Sequence, residues 1–521
     1  MKTRLVTLFL AVAMVLTLAA CGGSTGSSAA PAPSAAEPSS EAPSAPVDNS
    51  DRVLTFLTSS DTEGIDPTYC TATASWNHLM QVFEPLIYRD PDMNLEGVLA
   101  ESWEWLDDQT MQLHLRKGVK FHSGADFTSE SVKLSFDRMF AAKDVTSNRA
   151  PKDIPLDEIE IVDDYTCNIK LTTTCPMLPY YLRTLYMLDP TVYTEVEPMT
   201  DVSKVSGTGP YLMKAYSTAE YMEFEAFEGY WAGPANIKKA IFRLVPEAST
   251  RANELLAGTA DIIQSVSIDQ LDTVTTDHTR VISAGGGRDT GVAIRCDVEP
   301  FTDVRIRQAL NYAVDKEAIN EALLGGYGEI YAGLCMPPNE NTTDITPYPY
   351  DPEKAKELLK EAGYETGLEI TITTPDGRYV RDKEISQAVA QYFEDVGVKA
   401  SVEVADFSVM TERKNNGTIS NGFYFGLGGY FDGQGELNWA NASIQQNGWE
   451  DPYFMDEYAK LKQETDPAKR AELIAQLQVY VHEQAPWVFL FRQPMFYAAN
   501  DQADMVARRD ENFQLYYMSW L

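Results

Sequence analysis

The run TPDGRYVRDKEIS (374–386) places Arg378 in a turn immediately before an amphipathic helical pattern. The first amides of a helix lack intrahelical acceptors and carry partial positive charge, so a guanidinium beside them converges on one anion. The competing reading is a surface arginine paired with Asp382; Arg381 is expected to face solvent. A second stretch, GFYFGLGGYFDGQGELNWANASIQQNGWEDP (422–452), sets Tyr424, Phe425, Tyr430, Phe431 and Trp439 on glycine-rich backbone. Aromatic faces on such backbone suit the wall of a small-molecule pocket. All of this is recognition chemistry, without bond making. Residues 51–521 contain no CxxC, HExxH or GxSxG, and the 5 histidines of the chain are scattered. Metal-dependent or serine-nucleophile catalysis therefore has no motif to stand on, and the many carboxylates read as solvated surface.

The elements that must hold these side chains show as hydrophobic periodicity. RVLTFLTSSDTEGIDPT (52–68) alternates like a strand and ends in a turn, and TMQLHL (110–115) alternates again. In DFTSESVKLSFDRMF (126–140), Thr128 or Ser129 caps a helix that buries Val132, Phe136 and Phe140. DVRIRQALNYAVDKEAI (303–319) aligns Ile306, Leu310, Ala313 and Val314 on one face, which makes Arg305 and Arg307 fold-stabilising. GTGPY (207–211) offers backbone freedom at Gly207 and Gly209 for a sharp turn before a strand, and Trp231 is expected in a core.

Composition bounds the function. After residue 50 about 470 residues remain, enough for two or three structural units. The chain carries 42 basic against 77 acidic residues, a net charge of −35. Such acidity disfavours phosphate backbones and anionic lipid headgroups, so a nucleic-acid partner is not expected. Apart from Cys21, the cysteines are Cys70, Cys167, Cys175, Cys296 and Cys335, an odd set expected to be mostly buried free thiols. Cys167 and Cys175 flank NIKLTTT, and an extended strand there would hold them too far apart to bridge.

The N-terminus sets location. Lys2 and Arg4 precede the apolar run LVTLFLAVAMVLTLAA (5–20), the pattern of a secretory signal peptide. LAAC (18–21) resembles the bacterial lipobox, in which the cysteine is acylated and becomes the mature N-terminus. Cys21 is thus expected to anchor the protein in the cell membrane on its extracytoplasmic face. Residues 22–50, GGSTGSSAAPAPSAAEPSSEAPSAPVDNS, have almost nothing to bury and read as a disordered tether.

The body resembles the solute-binding proteins of peptide/nickel-type ABC transporters, the oligopeptide- and dipeptide-binding family. The likeness rests on FEPLIYRD, LAESWEW and LHLRKGVKFHSGADFTSESVKLSFDR, then on GTGPYLMKAY, EGYWAGPANIKKAIFRLVPEASTRANELLAGTADI, PFTDVRIRQALNYAVDKEAINEALLGGYG and YDPEKAKELLKEAGYETGLEITI. It covers essentially residues 52–521. The resemblance implies an α/β, periplasmic-binding-protein-like two-lobe fold (type II, cluster C) with an additional domain inserted in the first lobe. Mapped here, 1–20 is the signal peptide and 21–50 the acylated tether. Lobe I comprises 51–89, 205–292 and 488–521, the inserted domain 90–204, and the second lobe 293–487. No cofactor is implied, and the expected state is a monomer serving an ABC permease and ATPase complex.

The resemblance also nominates binding residues. GRYVRDKEI is similar to the motif of dipeptide-, glutathione- and nickel-type members, which supports Arg378. Asp432 is the best match to the aspartate that takes a ligand's amine, although the usual tryptophan is missing and Gly429 or Tyr430 stands near its place. An ordinary solvent-facing loop aspartate is the other reading. Thr71, Thr73, Trp76 and Asn77 fall where relatives line the cleft, though capping and core packing suit them nearly as well. Arg288 and Arg295, near glycines at the crossover between lobes, are further anion candidates. The implied ligand is a short peptide. The alternatives are another solute such as a nickel chelate, glutathione-like compound, opine or oligosaccharide and, remotely, an exported hydrolase's substrate.

Overall fold

The computed structural model describes residue 49 and residues 51–70, 72–143, 150–334, 342–428, 432–440 and 446–521. Cys21, Thr71, Cys335, Tyr430 and Phe431 lie outside the described residues, as does the signal peptide.

A seven-stranded sheet is built around the strand Val53–Thr58, which pairs in parallel with Lys239–Leu244 on one side and Ile262–Ile263 on the other. Antiparallel strands extend both edges, ending at Thr279–Ile282 and Tyr211–Ser217. Leu54 and Phe56 enter one hydrophobic core and Leu57 another, because successive side chains leave opposite faces. A sheet buried on both faces needs helices on both, and that is the two-layer logic of an α/β lobe.

A six-stranded sheet organises the second lobe, in the order Glu329–Ile330, Trp487–Gln493, Arg288–Ile294, Gly422–Gly428, Glu369–Thr374, Lys399–Val404. Ile306, Leu310, Ala313 and Val314 are all fully buried against it, as the periodicity requires. Arg305 pairs with Asp303, and Arg307 donates to the carbonyls of Phe301, Thr302 and Gln484, so both serve the fold. Between Val53–Thr58 and Tyr211–Ser217 the chain forms a separate four-stranded antiparallel sheet over residues 100–171. Met111, Leu113 and Leu115 alternate inward from it and meet Val132 and Phe136 of the helix Ser129–Ala141.

The backbone passes between the two large sheets at 283–287 and again at 494–496. The expected divisions at 292/293 and 487/488 instead fall inside the strands Arg288–Ile294 and Trp487–Gln493. Those strands pair with each other, so they must share a sheet. Gly207 and Gly209 also differ from expectation. Neither has a left-handed φ; a Cβ at Gly207 would lie 2.0 Å from the Val82 carbonyl oxygen, so close backbone approach demands the glycine. Trp231 is half-buried beside the inserted domain's core and hydrogen-bonds Glu84 through Nε1 at 3.1 Å. Cys70, Cys167, Cys175 and Cys296 are buried free thiols, each pushed up to about 12 by burial.

Candidate ligand-binding site

The strands Glu369–Thr374 and Lys399–Val404 run parallel and end together. Beyond their carboxyl ends lies a cavity of about 420 Å³ lined by Asp376, Arg378, Glu403, Val404, Phe407 and Arg413, among others. Open α/β sheets place ligands in this position because the loops leaving parallel strands diverge there. The charges around the cavity are mostly matched. Glu403 is 2.6 Å from Arg413, and Asp376 is 2.9 Å from Lys383.

Arg378 is the exception. Its side chain is exposed and makes no hydrogen bond or ion pair among the described residues. The guanidinium lies 5.1 Å from the ring centres of both Tyr379 and Phe407, a cation–π setting that orients it without neutralising it. Phe425 stands beside Tyr379 and Phe407, with ring centres 6.3 and 6.2 Å away.

The structure does not pair Arg378 with Asp382. The Asp382 carboxylate accepts the backbone N–H groups of Gly377, Arg378, Tyr379 and Lys383, each at 2.9 Å. Burial nevertheless holds its pKa above the usual carboxylate range, against the lowering effect of those amides. The expected convergence of guanidinium and turn amides is therefore corrected. An acid at the first position of the helix Asp382–Asp395 reaches the amides of its own turn, and the guanidinium is left to act alone. Arg381 is half-buried and pairs with Asp269.

Asp432 has a different environment from either reading. It is 1% exposed and caps the helix Gly433–Leu437, accepting from Gln434 N at 2.9 Å and Gly435 N at 3.3 Å. Arg470 lies 3.4 Å from the same oxygen. Tyr424 is completely buried in the core of the second lobe rather than lining a pocket. Trp439 is half-buried in the turn Asn438–Ala440, against the other core of that lobe. Thr73 opens the helix Thr73–Leu79 half-buried, and Trp76 donates from Nε1 to the Cys70 carbonyl at 3.3 Å. Asn77 is buried and clamps the C-terminal segment, donating to Glu511 O at 3.0 Å and accepting from Phe513 N at 3.2 Å.

The further arginine candidates are occupied. Arg295 binds Asp297 through two nitrogens, at 2.6 and 2.7 Å. Arg288 lies 2.9 Å from Glu511, an acid of the C-terminal segment, and this pairing outweighs burial and raises the arginine's pKa. Sequence reasoning missed Glu511, and also the pair Arg509–Glu329 at 3.2 Å. Both contacts join residues some 180 or more positions apart, beyond any local signal. Among the described residues no cluster of three or more His, Cys, Asp or Glu side chains could hold a metal ion.

These features define a two-lobe α/β binding protein with a cavity at the carboxyl ends of its second-lobe strands. Residues 94–448 match the family model of bacterial extracellular solute-binding proteins, family 5 (middle region), and the chain belongs to that family. Heme-binding protein A of Haemophilus influenzae is 31% identical over 529 residues, covering 92% of each chain. Glutathione-binding protein GsiB of Pectobacterium atrosepticum is 28% identical, covering 82% of this chain and 86% of its own. Among solved structures, the periplasmic binding protein DppA of Helicobacter pylori with the peptide STSA superposes with a TM-score of 0.75. It is 22% identical and covers 90% of this chain and 98% of its own. No helix among the described residues is long and apolar enough to cross a membrane.

Proposed function

We propose that this protein is the capture receptor of an ABC importer, enclosing a short peptide or peptide-like acid between its two lobes and delivering it to a membrane permease. The observation that carries the ligand class is Arg378. In a chain with net charge −35, an exposed guanidinium that rests on two ring faces and lacks any carboxylate is kept available for a ligand's anion. The inserted domain stays with the first lobe, and the crossings at 283–287 and 494–496 form the hinge. Cys21 carries the lipid anchor, and the protein works as a monomer beside its permease and ATPase complex.

A thiol peptide of the glutathione type is the second reading, favoured by the 28% identical relative named for that ligand. The test is calorimetric titration of the purified protein with di- to pentapeptides, glutathione and a nickel–histidine chelate. Binding of peptides supports the reading. Clear binding of another solute class, with none for any peptide, overturns the ligand assignment and leaves the receptor role. Cys21→Ala should release the protein from the membrane fraction with solute affinity unchanged; a variant still bearing a mature lipid would contradict the anchor.

A further inference from the structure

A counterpart of Arg378 lies outside the second lobe. Arg183, like Arg378, makes no side-chain hydrogen bond or ion pair among the described residues. Arg183 follows the helix Leu178–Leu182, which packs on the strand Ile87–Arg89. Its Nε is buried without a hydrogen-bond partner, and so is the hydroxyl of Tyr88, a residue only 6% exposed. Both groups can donate, and a buried donor with no acceptor forfeits the hydrogen bond it had in water.

Arginines crowd this corner. Arg89 is completely buried, and its guanidinium is brought down to about 9 by burial and by the nearby charge of Arg183, against the raising effect of Asp510 and of the buried Glu436 of the second lobe. The closest acid of the C-terminal segment, Asp510, is already held by Arg508 at 2.8 Å and by Asn512 N at 3.2 Å. Arg508 also caps this corner, donating to the Arg89 carbonyl at 3.1 Å and lying 5.3 Å from the Tyr88 ring centre. The same helix approaches the second lobe at its other end, where the Met177 sulfur is 3.4 Å from Arg470. The two donors therefore sit by the junction between the inserted domain and the second lobe.

We propose that Arg183 and the Tyr88 hydroxyl form a second anion-accepting subsite, so that the ligand is a small di-acid bound by Arg378 through one carboxylate and by Arg183 and Tyr88 through another. This rests on the reading of Arg378 given above. A di-acid explains why a strongly acidic chain leaves two guanidinium groups without internal carboxylates, where a mono-acid would use only one.

The experiment uses the full mature protein with glutathione, which has two carboxylates, and its glycine monoethyl ester, which has one. Calorimetry should show the di-acid binding about tenfold or more tightly, as a charge-assisted contact implies. Arg183→Gln should abolish that preference while leaving the affinity for the ester unchanged, and Tyr88→Phe should reduce it several-fold. Circular dichroism and the thermal midpoint confirm that each variant is folded. Equal binding of both probes to the wild type overturns the subsite. An equal loss for both probes in Arg183→Gln does so too, because the groups then serve packing through ordered water. If neither probe binds, the glutathione-type reading fails on its own, and the peptide reading stands or falls by its own titration. Mass spectrometry of the solute that co-purifies then decides this proposal: two or more acidic groups support it, one or none overturns it.

Discussion

Arg378 and Asp432 make an instructive pair. Each sits in a loop leaving the same six-stranded sheet, each lies at the start of a helix, and each is nominated by the same family resemblance. Yet Asp432 is enclosed between helix amides and Arg470, whereas Arg378 faces an open cavity on two aromatic rings. A charge is consumed by the fold when complementary groups are within reach inside the protein. It remains available when no carboxylate lies within ion-pair reach, as for Arg378, beside which Glu403 and Asp376 are held by Arg413 and Lys383.

The largest effect expected from this contrast is on stability. Asp432→Ala removes a helix cap and leaves Arg470 buried without its acid, at a cost of about 3–5 kcal/mol. Denaturant unfolding measures it. Unchanged stability with collapsed ligand affinity would reverse the roles assigned to the two residues.

Glu84 extends the contrast to the first lobe, as an enclosed carboxylate held by neutral donors, the Tyr230 hydroxyl at 2.8 Å and Trp231 Nε1. Burial raises its pKa to about 7, against the lowering effect of those donors. The folded state thus keeps a proton that the unfolded chain releases near 4.5. Its contribution is fully present below that pH and is lost as pH rises towards 7, by roughly 2–3 kcal/mol. Glu84→Gln should flatten this part of the profile. Denaturant midpoints between pH 4 and 8 that fall equally in both proteins would exclude Glu84 as the cause.

Arg378→Ala has the opposite profile to Asp432→Ala. Stability should stay within about 0.5 kcal/mol, as for an exposed side chain. Affinity for an acidic ligand should fall about 10- to 100-fold, corresponding to a lost charge-assisted contact of about 1.5–3 kcal/mol. Titration of wild type and variant with the same ligand checks both halves. Arg381→Ala supplies the smallest effect: its pair with Asp269 is solvent-facing, so about 0–1 kcal/mol is expected by unfolding, with affinity unchanged.

What could be read in the sequence was periodic or local. The helix bearing Ile306, Leu310, Ala313 and Val314 was legible because a buried face repeats every 3.6 residues, and TMQLHL because a strand alternates every second one. The exposed turn that carries Arg378 was legible because turn and helix are contiguous in sequence. Asp432 and Tyr424 were misplaced for the converse reason. Aromatic and acidic residues on glycine-rich backbone look alike whether the loop faces a cleft or a core, and the partner that decides it, Arg470, comes 38 residues later. Asn77 was ambiguous until its partners at 511 and 513 were known.

By itself the sequence determined the α/β elements and the family and nominated an arginine in a turn, because these depend on short-range spacing and on motif order. The tertiary structure alone decided which charges remain free, because pairing depends on residues distant in the chain meeting in space. It placed Asp382 on its own turn's amides, Asp432 beside Arg470 and Arg288 beside Glu511, and it left Arg378 and Arg183 without an acid.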